Sequence, residues 1–235
     1  MPKVIKRHIK DTNAQISVIQ YINITKRIFM SLSTLKGLYL ITDDLLTPRS
    51  TLLEQVTQAL EGGAKIVQLR DKKSTLEEIE QMAVKLQKLT QKYGALFVLN
   101  DKVDLAIKHS FSGLHIGKSD HHRVSEIRKN YSGVLGVSCY GDIALAKQMQ
   151  DKGVDYVAFG SFFHSATKPD SCIIDLNILS KAKEVLDIPV CAIGGLNAQN
   201  ISKVMKHKPD MISLINDIYT SDDIRKKSQF FADLY

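Results

Sequence analysis

The sequence contains no tryptophan, three cysteines and five prolines in 235 residues. Cys139, Cys172 and Cys191 lack CxxC spacing, and three thiols cannot all pair within one chain. We therefore predict neither a disulfide framework nor a zinc site, and interpret the three cysteines as small buried groups in a reducing compartment, the cytoplasm. The tandem His121-His122 has no partner at ligand spacing and is interpreted as a surface loop.

The sequence also lacks a long apolar run. None approaches the roughly 18 consecutive apolar residues that a membrane span requires, so no membrane partner is predicted. Apolar residues make up 44% and charged residues 24%, which is typical of an ordinary globular protein with a sizeable core.

Negative charge is scarce at the amino terminus. Residues 1–36 carry seven Lys or Arg side chains against the single Asp11, which accounts for +6 of the formal net charge of +7. We interpret this basic extension as a poorly ordered appendage. The alternatives are a flexible arm, a targeting segment, and upstream sequence translated from a misassigned start, with Met30 as the true initiator. Since the remainder is nearly neutral, no nucleic-acid partner is predicted.

From Gly37 onward, short apolar runs alternate with helical patterns. Eight runs have strand character, at residues 38–41, 66–69, 96–99, 113–116, 134–137, 156–159, 190–193 and 211–215. Between them, residues 52–60 and 76–89 repeat apolar side chains at the i, i+3, i+4, i+7 spacing of one helical stripe, and residues 144–149 and 201–205 do so more briefly. Glycine turns at Gly62-Gly63, Gly94 and Gly153 end several helices.

Alternating β and α units with continuously apolar strands indicate a parallel sheet covered by helices. Eight units without a second composition zone favour an α/β fold of the (β/α)8 TIM barrel type over a doubly wound open sheet. We predict one catalytic domain over residues 37–235.

Polar residues follow each predicted strand, and in a barrel these positions converge on one rim. They are Thr42-Asp43-Asp44, Gln68 with Arg70 and Lys72, Asn100-Asp101, His115 to Asp120, Ser138, Ser165-Ala166-Thr167-Lys168, Gly194-Gly195 and Asn216. The cations Arg70, Lys72 and Lys168 suit a diphosphate ligand. Asp101 and Asp120 follow adjacent strands and suit one Mg²⁺, although either could instead cap the next helix.

A second anion site is indicated on the same rim, after the last two predicted strands. Gly194-Gly195 and Ile215-Asn216 follow strands seven and eight, where barrels often bind phosphate on backbone N–H groups. A tight strand-to-helix turn is the alternative interpretation of the glycine pair. Two anion-seeking regions on one rim predict two phosphorylated small-molecule ligands.

Residues 37–235 resemble the thiamine phosphate synthase family. The order and spacing of several short segments carry the resemblance: residues 39–43, Gln68-Leu69-Arg70-Asp71-Lys72, residues 100–106, His115-Ile116-Gly117 with Asp120, Gly136-Val137-Ser138, Thr167-Lys168 and residues 192–195. The resemblance implies a transferase that joins a hydroxymethylpyrimidine diphosphate to a thiazole phosphate and releases pyrophosphate.

The resemblance also implies residue roles. The pyrimidine diphosphate would contact Gln68, Leu69, Arg70, Asp71, Lys72, Asn100, Ser138 and Lys168, of which Arg70, Lys72, Ser138 and Lys168 would be catalytic. Asp101 and Asp120 would bind magnesium. The thiazole phosphate would contact Ser165, Ala166, Thr167, Gly195, Ile215 and Asn216. Ser165 and Asn216 stand where Thr and Ser are usual in the family.

No enzyme nucleophile is required for this reaction, so Cys139 is not interpreted as a catalytic thiol although it follows Ser138. The alternatives are a thiazole tautomerase-like isomerase, a non-catalytic barrel that binds phosphorylated ligands, and a nucleic-acid binder acting through the basic extension. The residues leave the oligomeric state open, and a homo-oligomer is compatible with them.

Overall fold

The computed structural model describes residues 35–164 and 172–235, which form a closed barrel of parallel strands. The strands are β1 (Gly37–Ile41), β2 (Ile66–Leu69), β3 (Leu96–Asn100), β4 (Gly113–Ile116), β5 (Val134–Tyr140), β6 (Tyr156–Phe159), β7 (Val190–Ile193) and β8 (Met211–Leu214). Each strand pairs with its neighbours in sequence, and β8 pairs with β1 to close the barrel. The predicted (β/α)8 fold is confirmed.

Helices connect these strands on the outside of the barrel. They are α1 (Leu52–Glu61), α2 (Leu76–Lys92), α3 (Val103–His109), a 3-10 helix (Lys118–Arg123), α4 (Val124–Asn130), α5 (Ile143–Asp151), α6 (Asn177–Val185), α7 (Ile201–Met205), α8 (Asn216–Tyr219) and α9 (Ile224–Ala232). All four predicted helical stripes lie on helices. None of the helices in the described part of the chain is long and apolar enough to cross a membrane.

Two apolar cores stabilise the barrel because alternate residues of a strand face opposite sides of the sheet. Leu38 and Leu40 of β1 pack outward against the helices, in a core that also contains Val56 of α1. Tyr39 and Ile41 point inward and pack with the other residues of the barrel interior. Fully burying one such leucine contributes about 1.5–3 kcal/mol.

Gly136 leaves room inside the barrel for one aromatic ring. Asn100, His115, Gly136 and Tyr156 form one row of paired positions across β3, β4, β5 and β6. A Cβ atom at Gly136 would lie 2.0 Å from Cζ of Tyr156. His115 and Tyr156 therefore meet across the glycine, with their ring centroids 5.6 Å apart.

Gly136→Ala is expected to destabilise the fold. Since Tyr156 is fully buried, its ring has no free space into which to move, and overpacking should lower the free energy of unfolding by about 2 kcal/mol or more. Urea denaturation measures this change. Gly117→Ala is the control, because its added Cβ would meet only the Tyr140 hydroxyl, at 4.0 Å. Equal stability of the two variants would contradict the packing explanation.

Three details refine the sequence interpretation. Cys139 and Cys191 are buried as predicted, but Cys172 is exposed because it lies in the β6–α6 connection rather than in a strand. His121 and His122 lie in the 3-10 helix rather than in an irregular loop, because this helix continues directly into α4. Most of the predicted basic extension lies outside the described residues, but Leu35 is buried in the barrel interior.

Candidate active site

The carboxyl ends of all the strands form one rim because the barrel is closed and parallel. The predicted site residues on that rim that the structure describes are Gln68 to Lys72, Asn100, Asp101, Asp120, Ser138, Gly195, Ile215 and Asn216. Ser165, Ala166, Thr167 and Lys168 lie outside the described residues. Asn100 and Ser138 belong to β3 and β5 themselves, since these two strands extend further than predicted.

The end of β2 separates its side chains between the barrel interior and the helix layer. Gln68 is 2% exposed and points inward, where its amide nitrogen donates to the Tyr39 hydroxyl over 2.5 Å. Leu69 packs outward in the helix-side core. The Arg70 N–H donates to Oγ1 of Thr42 over 3.0 Å, which fixes the backbone where the strand ends. The Arg70 side chain is thus partly exposed at the mouth, whereas the Gln68 amide is buried and a ligand contact of Leu69 would have to use its backbone.

Lys72 and Asp71 lie in the loop that follows. The Lys72 N–H donates to Oδ1 of Asp44 over 3.1 Å, which ties this loop to the one after β1. Burial alone would raise the pKa of Asp71, but hydrogen bonds from Ser74 and from the Lys73 backbone outweigh it and lower the pKa. Asp71 therefore stays ionised and shapes the loop.

A cavity of about 380 Å³ lies between the loops after β1 and β2. Its lining includes Thr42, Asp43, Arg70 and Asp71. Among the described residues, the Arg70 guanidinium forms no ion pair, whereas Arg49 in the same lining lies 3.4 Å from Glu78. Arg70 is consequently the better placed of these two arginines to bind an anionic ligand.

Asp101 has an unusual backbone conformation directly after β3. Its φ is 61°, in the left-handed region that Asp and Asn tolerate better than most residues. Its N–H donates to the His115 carbonyl oxygen over 2.9 Å, and its Oδ2 accepts from the Asn100 amide over 2.7 Å. These contacts fix the carboxylate between the ends of β3 and β4.

Asp120 lies in the 3-10 helix that follows β4. Its Oδ1 is 3.2 Å from the Arg123 guanidinium, and its Oδ2 accepts from the Ser119 hydroxyl over 2.8 Å. Asp101 and Asp120 thus follow adjacent strands, as predicted. Within residues 35–164 and 172–235 there is no cluster of three or more His, Cys, Asp or Glu side chains suited to a metal. A metal bound here would rely on two carboxylates and on ligand oxygens.

Ser138 is half-buried at the mouth, where two histidines contact it. Its hydroxyl is 2.9 Å from Nε2 of His115, and its carbonyl oxygen accepts from Nε2 of His121 over 3.0 Å. Burial lowers the pKa of His121, although the bond to Ser138 opposes this effect. His121 therefore helps to hold the irregular end of β5, where the pairing shifts between Ser138 and Tyr140.

Tyr39 and Tyr156 are the residues that the sequence interpretation missed. Their hydroxyls lie 2.8 Å apart, and that of Tyr156 is 2.9 Å from Nδ1 of His115. Together with the bonds of Gln68 and Ser138, these contacts form a chain through the barrel interior, which we call the buried chain. Burial raises the pKa of both phenols, so they remain protonated. Tyrosines inside otherwise apolar strands were the available signal, since a buried hydroxyl needs a partner.

The ends of β7 and β8 favour the tight-turn interpretation of the glycine pair. Gly195 has a φ of 68°, and an added Cβ would lie 2.5 Å from the carbonyl oxygens of Phe163 and His164. Its carbonyl accepts from the Asn200 amide over 2.8 Å. Ile215 packs against both cores, and Asn216 is exposed at the start of α8. The backbone thus requires glycine here even without a ligand.

Cys139 is unsuited to nucleophilic chemistry. It is completely buried in the helix-side core, and burial raises the pKa of its thiol to about 12. Because the thiolate is the reactive form, this cysteine is inert at neutral pH.

A closed parallel barrel whose carboxyl-terminal rim gathers cations, carboxylates and a serine has the architecture of a (β/α)8 enzyme. The sequence model of thiamine monophosphate synthase matches residues 38–218. A thiamine-phosphate synthase of Wolinella succinogenes is 40% identical over 198 residues, which cover 83% of this chain and 92% of that protein. One of Thermoplasma acidophilum is 36% identical over 189 residues, covering 80% and 87%. The chain belongs to the thiamine-phosphate synthase family.

Solved structures agree with this assignment. A thiamine phosphate pyrophosphorylase from Pyrococcus furiosus is 34% identical and superposes with a TM-score of 0.76, covering 86% of this chain and 96% of that one. A 3-hexulose-6-phosphate synthase, at 16% identity and a TM-score of 0.64, shares the fold alone. The predictions of the family, the fold and a transferase activity are confirmed.

Proposed function

We propose that the chain condenses 4-amino-2-methyl-5-(diphosphooxymethyl)pyrimidine with 4-methyl-5-(2-phosphooxyethyl)thiazole to give thiamine phosphate and pyrophosphate. The bond between the pyrimidine methylene and the diphosphate oxygen breaks, and both electrons leave with pyrophosphate. The thiazole nitrogen then forms the new bond to the methylene carbon. The observation that supports this most strongly is that a family member gathers Arg70, Asn100, Asp101 and Ser138 on one rim.

The negative charge of the leaving pyrophosphate explains why the proposed site contains several cationic side chains. Departure of pyrophosphate concentrates negative charge on its oxygens, and fixed cations stabilise that charge best where water is excluded. Arg70 can donate two parallel hydrogen bonds to phosphate oxygens, and Lys72 and Lys168 add positive charge. Gln68, Asn100 and Ser138 orient the pyrimidine diphosphate. The backbone of Leu69 and Asp71 completes the part of the site that follows β2.

The residues present fit a magnesium ion. Mg²⁺ prefers oxygen ligands and usually takes one or two protein carboxylates, with water and phosphate oxygens as the others. Asp101 and Asp120 provide two carboxylates after adjacent strands; Asp101 is exposed and Asp120 partly exposed. When bound, the ion supplies additional stabilisation of the charge on the diphosphate. Asn100 and Ser119 orient the two carboxylates through the hydrogen bonds described above.

The second substrate is assigned to the opposite part of the rim. The thiazole phosphate would contact Ser165, Ala166, Thr167, Gly195, Ile215 and Asn216. Membership of the family supports this assignment, since the matched region extends over residues 38–218. We also propose a cytoplasmic location, which three cysteines without disulfide spacing support.

One assay tests the reaction. Purified full-length protein is incubated with both substrates, with Mg²⁺ or with a chelator, and pyrophosphate and thiamine phosphate are both quantified. We expect equal amounts of the two products, formed only with Mg²⁺ and only when both substrates are present. Failure to form thiamine phosphate under any metal condition would contradict the proposal. Aromatisation of a thiazole phosphate without metal would favour the isomerase, and tight binding without turnover would favour a non-catalytic barrel.

A further inference from the structure

We propose that the buried chain of Gln68, Tyr39, Tyr156 and His115 is a positioning device that fixes the Ser138 hydroxyl as a hydrogen-bond donor toward the mouth of the barrel. In this device, Tyr39, Tyr156 and His115 act through Ser138. The role of Ser138 rests on the proposed function. The direction of the hydrogen bonds does not depend on it.

The direction follows from the donor at the inner end. The Gln68 amide nitrogen can only donate, so the Tyr39 oxygen accepts from it. The Tyr39 hydrogen is then available for the Tyr156 oxygen, 2.8 Å away. Tyr156 in turn donates to Nδ1 of His115 over 2.9 Å. Each hydroxyl in the chain accepts one bond and donates the next.

This direction determines the tautomer of His115. A ring nitrogen that accepts a hydrogen bond carries no proton, so Nδ1 is unprotonated and the neutral ring carries its hydrogen on Nε2. Nε2 therefore donates to the Ser138 hydroxyl oxygen over 2.9 Å. The serine hydrogen is left for another acceptor, because the Ser138 hydroxyl makes no second hydrogen bond within residues 35–164 and 172–235. An anionic phosphate oxygen is the acceptor that the proposed ligand supplies.

The residues around the buried chain keep its hydrogen bonds in this one direction. Tyr39 is 1% exposed, Tyr156 is fully buried and His115 is 7% exposed, so water does not compete for these bonds. The absence of a side chain at Gly136 lets the rings of His115 and Tyr156 approach each other. Both phenols stay protonated because burial raises their pKa values, so each remains a donor.

The first experiment observes the tautomer directly and requires no turnover. Protein with ¹⁵N-labelled histidine is studied by long-range ¹H–¹⁵N NMR at a pH above the ordinary titration range of imidazole. We expect His115 in the wild type to carry its hydrogen on Nε2, with no detectable Nδ1–H form. In Tyr156→Phe, where the donor to Nδ1 is removed, we expect the Nδ1–H form to appear.

The second experiment separates positioning from stability. Tyr156→Phe should lower kcat/KM for the pyrimidine diphosphate about tenfold while leaving KM for the thiazole phosphate unchanged, because only the orientation of Ser138 is affected. Tyr131→Phe is the matched control. It removes a buried hydroxyl that donates to the Phe111 carbonyl over 2.7 Å, at the amino-terminal side of β4, away from the rim. It should keep wild-type kinetics and the wild-type His115 tautomer.

Two results would overturn the proposal. One is a wild-type His115 that carries its hydrogen on Nδ1, because the hydrogen bonds of the buried chain would then be donated in the opposite direction. The other is a Tyr156→Phe variant with the kinetics and tautomer of Tyr131→Phe. Should the wild type make no thiamine phosphate, the proposed function fails, and the NMR result still decides the direction of the chain.

Discussion

Asp101→Asn is expected to reduce kcat/KM by roughly 100-fold or more and to raise the Mg²⁺ concentration needed for half-maximal rate, because a neutral amide is a poor ligand for this ion. Asparagine is the right replacement here. It has the shape of aspartate and tolerates the left-handed backbone at φ 61°, so the change isolates the charge from backbone strain. Steady-state rates over a Mg²⁺ titration measure both effects.

Asp104→Asn is the control for this variant. Asp104 lies in the first turn of α3, three residues beyond Asp101, and is exposed. Its replacement removes the same charge from the same segment and should leave the Mg²⁺ dependence unchanged. If both variants behaved alike, or if Asp101→Asn retained a near wild-type rate, Asp101 would not be a metal ligand.

The sequence predicts the fold well because each βα unit carries its own local signal. The runs at residues 66–69 and 113–116 coincide with β2 and β4, and the helix predicted over residues 201–205 coincides with α7. An apolar run can form a strand buried on both faces, and an apolar stripe can form one buried helix face. Closure of a parallel barrel then brings the carboxyl ends of all the strands to one rim. The residues of that rim could therefore be predicted from their positions directly after the strands.

The buried chain was not predictable in the same way. Its central bond joins Tyr39 to Tyr156, which are 117 residues apart, and it depends on which face of each strand points inward. Strands that are apolar on both faces carry no alternation that would reveal this. Leu69 shows the same limit, because its position between Gln68 and Arg70 did not reveal that its side chain packs against the helices.

Arg70→Met is expected to lower kcat/KM for the pyrimidine diphosphate by roughly 100- to 1,000-fold, or about 3–4 kcal/mol of transition-state stabilisation. Methionine keeps much of the unbranched apolar length and removes the cation. Among the described residues, Arg70 has no carboxylate partner, so the substitution leaves no acid unpaired there and the fold should be retained. Single-turnover rates and thermal unfolding measure the two consequences separately.

Arg225→Met provides the matched control, since Arg225 is exposed on α9. The same loss of charge at that position should change neither kinetics nor stability appreciably. Charge stabilisation of the departing pyrophosphate requires that Arg70→Met reduce kcat more than it raises KM, because that interaction strengthens as the bond breaks. A rise in KM alone, with kcat unchanged, would show that Arg70 binds the ground state and the transition state equally, and would assign charge stabilisation to Lys72 and Lys168 instead.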